Sequence, residues 1–83
     1  MHLTYDPAVN VAYLRLRDPA GQQVETIRLS DEVNVDLAPD GSVYGIELLN
    51  ANAQLRAADG GRLVVDMADR RVELPLPEPA EGK

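Results

Sequence analysis

Apolar and polar residues alternate in short runs along most of this chain. Val11-Ala12-Tyr13-Leu14-Arg15-Leu16-Arg17 changes class at nearly every step, the period of a half-buried β-strand. His2-Leu3-Thr4-Tyr5 reads as a shorter first strand. Asp6-Pro7 ends it, because Pro7 biases the residue before it to extended geometry and offers no N–H. Asp18-Pro19-Ala20-Gly21 is a turn, and Gln23 to Leu29 predicts a third strand with weaker alternation. Ser30-Asp31-Glu32 turns the chain into Val33.

Residues 33–49 are the organising stretch: two β-rich runs flank Pro39-Asp40-Gly41. Pro39 presets its φ for a turn, Asp40 tolerates the next position, and Gly41 can take the left-handed conformation of a one-residue bulge. The expected register puts Leu37 opposite Val43, Asp36 opposite Tyr44, Val35 opposite Gly45 and Asn34 opposite Ile46.

Asn50 is placed to cap a short helix over about residues 51–57, ended by Asp59-Gly60-Gly61. Leu63, Val65 and Met67 then alternate with Val64 and Asp66, and Val72, Leu74 and Leu76 follow in the same period. A four-residue connection over Ala68–Arg71 would set Met67 opposite Val72 and Val65 opposite Leu74. Pro75, Pro77 and Pro79 forbid a central strand beyond about residue 76. The fold class is therefore α+β and mostly β: an antiparallel meander of about five strands, a short helix near 51–57, and a C-terminal hairpin at about 63–67 and 72–76. Residues 1–76 are expected to form a single β-rich domain and 77–83 a disordered tail.

Side chains alternate across a sheet, so the register also assigns faces. One face collects Ala12, Leu14, Leu16, Ile27, Leu29, Val33, Val35, Leu37 and Val43, with Glu25 and Glu47 among them. The other collects Val11, Tyr13, Arg15, Arg17, Thr26, Arg28, Asn34, Asp36, Tyr44, Ile46 and Leu48, joined by Leu3 and Tyr5. On this assignment both faces need cover. The expectation is self-association as a homodimer; the competing arrangement is a monomeric two-layer sandwich closed by the C-terminal hairpin.

Composition sharpens that expectation. The 83 residues contain no Trp and no Phe, so the core must come from 9 Val, 11 Leu and 2 Ile. A chain this short buries only about 60% of its unfolded surface and is stable by about 4–12 kcal/mol. The absence of Cys excludes disulfides, thiolate metal sites and a thiol nucleophile. A net charge of −6 argues against nucleic acid as a partner, since phosphate contacts need clustered Lys and Arg. No run approaches the ~18 apolar residues of a membrane span and no signal peptide opens the chain, so a cytoplasmic protein is expected.

Few residues offer chemistry. Glu47 falls on the apolar face by parity, where an ionised carboxylate needs a partner or a raised pKa. Gly45 beside it leaves room for a ligand, which makes Glu47 the centre of any enzymatic or small-molecule reading. A structural Glu47 is the plainer one. Asp36 is expected to pair across strands with Arg28, and Asp6 to act structurally at its turn. Asp36 and Glu47 would point to opposite faces, unlike the paired carboxylates of a glycosidase. Asp40, Gly41 and Gly45 are turn or backbone positions. Tyr13, Arg15, Arg17, Arg28 and Tyr44 form a candidate binding patch, since Arg beside Tyr suits recognition of an acidic segment or an anion. His2 is the only His, so no metal site and no cofactor is expected.

The run Tyr5-Asp6-Pro7, then Ala12-Tyr13-Leu14-Arg15-Leu16, then Val35-Asp36-Leu37 and Asp40-Gly41-Ser42-Val43-Tyr44-Gly45-Ile46-Glu47-Leu48-Leu49, resembles the uncharacterised prokaryotic family known as domain of unknown function 2283. The resemblance covers about residues 1–50. It implies a small β-rich fold with a short helix and no established activity, and it suggests by association an antitoxin-like role beside a small toxin. The stretch from Gly61 to Pro77 looks like an extension. The leading functional expectation is a non-enzymatic, self-associating protein-interaction module.

Overall fold

The structure is a computed structural model and describes residues 1–18 and 23–78. The strands are β1 (His2–Asp6), β2 (Val11–Arg15), β3 (Glu25–Ser30), β4 (Val33–Leu37), β5 (Val43–Leu49), β6 (Arg62–Met67) and β7 (Arg70–Pro75), with one helix, α1 (Ala51–Leu55). All pairings are antiparallel. The mostly β architecture, the short helix and the C-terminal hairpin are as the alternation predicts. Strands β3, β4 and β5 form a meander, and the β1–β2 hairpin joins it through β2 against β5, giving the order β1-β2-β5-β4-β3. The expected turn at Asp18–Gly21 lies mostly outside the described residues, as do residues 79–83 of the expected tail.

The central hairpin holds a second irregularity beyond the turn. Gly41 is left-handed at φ 88°, as its position requires. Leu37 faces Val43, but Asp36 then faces Gly45, not Tyr44, and Asn34 faces Glu47, not Ile46. Tyr44 is the extra residue of a β-bulge, and past a bulge the parity of the strand inverts. Ile46 and Leu48 therefore move to the apolar face, and Glu47 leaves it. Leu3 and Tyr5 also change sides, because they stand opposite Leu14 and Ala12.

The corrected sheet has one greasy face and one wet face. A continuous apolar row runs Leu3–Leu14–Ile46–Val35–Ile27 across all five strands, and Tyr5, Ala12, Leu48 and Val33 form the next. Glu25 stays on this face, at the exposed β3 edge. The expectation that both faces need cover fails; only one does.

Helix α1 covers one end of that face. Asn50 is the residue before the helix, yet it is left-handed (φ 52°) and makes no side-chain cap. Asn10, in the β1–β2 turn, takes that role: its side-chain oxygen accepts the Asn52 N–H at 2.7 Å and its carbonyl accepts the Ala51 N–H at 3.1 Å. The Tyr5 hydroxyl donates to Asn52 at 2.5 Å, which places the helix on the apolar side.

The β6–β7 hairpin turns through two residues, Ala68-Asp69, and not four. Leu63 faces Leu74, Val65 faces Val72 and Met67 faces Arg70, a slip of two from the expected register that leaves the faces unchanged. At its base Arg56 donates to the Pro77 carbonyl and faces Glu78 at 3.7 Å, and the Leu76 N–H donates to Gly61. Neither hairpin strand packs substantially on the five-stranded sheet. Consequently the described residues hold only Ala12, Ala38 and Ala51 as buried apolar positions, and no large side chain is fully buried.

Candidate functional site

The polar face of the sheet gathers most of the residues that could carry chemistry. Two rows cross it: Thr4–Tyr13–Glu47–Asn34–Arg28, and His2–Arg15–Gly45–Asp36–Thr26. Tyr13 stands on β2 and reaches across β5 to β4, where its hydroxyl donates to Asp36 Oδ2 at 2.7 Å. The path runs over Gly45. A Cβ there would sit 2.5 Å from Tyr13 Cζ and closer still to its hydroxyl. The room expected beside Gly45 for a ligand is thus filled by the Tyr13 ring.

Asp36 is held from its other side by Thr26, whose hydroxyl donates to Oδ1 at 2.6 Å. Both carboxylate oxygens are therefore occupied, and the expected Asp36–Arg28 pair does not form. Arg28 bonds Asp31 at 2.8 Å instead, on the exposed edge. Burial pushes the Tyr13 hydroxyl well above its ordinary pKa, and the Asp36 hydrogen bond and charge add to it, with Tyr44 and Glu47 contributing. A phenol that holds its proton this firmly is a donor, not a base.

Glu47 shares this face with Asp36, contrary to the expected opposite placement. It accepts from the Asn34 side-chain amide at 3.0 Å and is only half-buried. A carboxylate outside the apolar face, already paired, lacks the burial that made it a catalytic candidate. Sequence reasoning missed Asn34 and Thr26 as partners, although their parity placed them on the correct face.

Tyr13, Arg15 and Arg28 share the polar face, but the arginines are not clustered on it. Arg15 and Arg28 lie in different rows with β5 and β4 between them, about 14 Å apart at the usual strand spacing. Arg17 lies near the β4–β5 turn, where its charge helps hold Asp40 below the usual carboxylate range. The main cause there is Ser42, which donates to Asp40 Oδ1 from its hydroxyl at 2.6 Å and its N–H at 2.9 Å. Asp6 caps its own turn, accepting the Ala8 N–H at 3.0 Å. Among the described residues no three His, Asp or Glu side chains are grouped to hold a metal ion, and no helix is long and apolar enough to cross a membrane.

This constellation is a latch across the sheet more than a reaction centre. Its members come from β2, β3, β4 and β5, and each carboxylate is engaged by a neutral donor. A family model described as a protein of unknown function, DUF2283, matches residues 2–52, which contain all of β1–β5 and the latch. The β6–β7 hairpin lies beyond the match. No curated protein and no solved structure matches the chain.

Proposed function

The chain belongs to the DUF2283 family, and on that premise we propose that it works as a non-enzymatic, self-associating protein-interaction module. One observation supports this above the others: the apolar face of the five-stranded sheet is left open. Ile27 is 38% exposed and Leu29 64%, and β3 is exposed along its whole length. Apolar surface gathered on one side of a sheet is stabilised by removal from water at about 25 cal/mol per Å2. A second polypeptide is the available cover.

The polar face favours no competing activity. Its carboxylates are paired and Gly45 is roofed by Tyr13. Recognition through an Arg/Tyr patch is unsupported because the arginines are dispersed. The apolar face is therefore the surface on which partner binding rests.

Light scattering on the purified chain at tens of micromolar tests the reading. The expected mass is about twice the 9.0 kDa of one chain. A strict monomer across that range would overturn it.

A further inference from the structure

The C-terminal hairpin is built asymmetrically. Its polar face is satisfied within itself: Arg62 pairs with Glu73 at 3.4 Å, and Arg71 with Asp66 at 3.3 Å and Glu73 at 3.6 Å. Its other face carries Leu63, Val65, Met67, Val72 and Leu74, with Arg70 opposite Met67 at the turn end. Exposure on that face reaches 40% at Val65, 47% at Met67 and 51% at Leu74. The base is anchored near α1 by Arg56 and by the Leu76–Gly61 bond, so the distal half projects. A two-stranded hairpin in water is marginal by itself and needs a surface to lie on.

The same chain offers an unsealed surface of matching character. The sheet's apolar row is exposed at both ends, 38% at Leu3 and 38% at Ile27; the Leu3 end shares a cleft with Leu55, Leu63 and Leu76, whereas beyond Ile27 on β3 Leu29 is 64% exposed. Within one chain the two apolar surfaces meet only at that cleft. Size points the same way. A compact protein of this mass exposes about 4,900 Å2, whereas this chain exposes 5917 Å2. Its radius of gyration is 14.4 Å against about 12 Å for a compact chain of this length. The surplus area, about 1,000 Å2, is large enough to include the roughly 800 Å2 that one partner buries in a standard interface.

We infer that two copies exchange these surfaces: the β6–β7 hairpin of each copy closes over the open apolar face of the other's five-stranded sheet, around Val35 and Ile27. The inference rests on the self-association proposed above and specifies its interface. A two-fold arrangement satisfies both surfaces of both copies at once, and leaves the hairpin's ion-paired face and the sheet's latch face in water. Packing hairpin against hairpin would leave the sheet open. The hairpin lies outside the region matched by the family, so this cover is an addition to the shared five-stranded unit.

The absence of Cys makes the test direct. Val65→Cys in untagged full-length chain and Ile27→Cys in tagged full-length chain are mixed and treated with a short bismaleimide. Light scattering first checks that each variant keeps the mass of the parent. The expected product is a mixed adduct of one tagged and one untagged chain, in at least fivefold excess over either like-with-like adduct. A dimeric protein that yields only Val65→Cys adducts with itself would overturn the exchange and leave self-association standing. So would an intrachain adduct in the doubly substituted chain. A monomeric parent would overturn both.

Discussion

The Tyr13 hydroxyl reaches Asp36 across β5 only because the position beneath its ring, Gly45, has no side chain. An aromatic ring laid over a strand glycine restores the packing that the glycine lacks. In return the glycine lets a β2 side chain hydrogen-bond β4 directly. Three of the five strands are tied by two residues.

Gly45→Ala should therefore act through Tyr13. The new methyl would overlap the ring, which must swing away and release Asp36. The expected cost is about 1–3 kcal/mol by urea unfolding, as for other overpacked sites. Tyr13→Phe, which removes only the hydroxyl, should cost about 1 kcal/mol. In a Tyr13→Ala background Gly45→Ala should cost much less than in the parent, a coupling that a double-mutant cycle reads directly. Additive losses would mean that the ring and the glycine are independent.

Ionisation of Tyr13 offers a second check. Its folded pKa lies above the ordinary 10.0, and the ionised form is the disfavoured one. The contribution to stability is fully present below pH 10 and is lost as pH rises from there through the folded value. Stability should thus decline above about pH 10 more steeply in the parent than in Tyr13→Phe. The absorbance titration of the parent minus that of Tyr13→Phe should show the Tyr13 hydroxyl ionising only well above pH 10. A difference signal that rises at the ordinary 10.0 would show that the latch is not closed in solution.

Residues 46 and 47 separate the two ways of reading the sheet. Strand positions, the Gly41 turn and the apolar hairpin faces were all legible from period-two alternation and turn chemistry. The Tyr44 bulge was not, because nothing in Val43-Tyr44-Gly45 distinguishes a bulged residue from a paired one. That single insertion exchanged the faces of Ile46, Glu47 and Leu48, and with them the apparent burial of Glu47. The Asn10 cap was equally hidden, since it joins residues some forty positions apart. Tyr13, Asp36 and Gly45 were each noticed, but the bond between them needs the strand order, which alternation does not encode. Glu47→Ala should cost about 1 kcal/mol or less, as a half-exposed pair to Asn34. Ile46→Asp should cost several times more, because it places a charge in the middle of the apolar row. Circular dichroism with urea titration ranks them. The reverse ranking would restore the register without a bulge.

Thermal unfolding should depend on protein concentration. No large side chain is fully buried among the described residues, so in the proposed dimer much of the apolar stabilisation would come from the second copy. When folding and association are coupled, each tenfold rise in concentration adds about 1.4 kcal/mol to the apparent stability of the dimer. The midpoint should climb steadily from one to one hundred micromolar. Met67→Lys and Leu74→Lys, both on the exposed hairpin face, should lower the midpoint and the associated fraction together, while leaving the ion pairs of Arg71 on the opposite face. A midpoint that stays constant over that range, with unchanged mass in the lysine variants, would mean that a single chain is stable with its apolar face open to water.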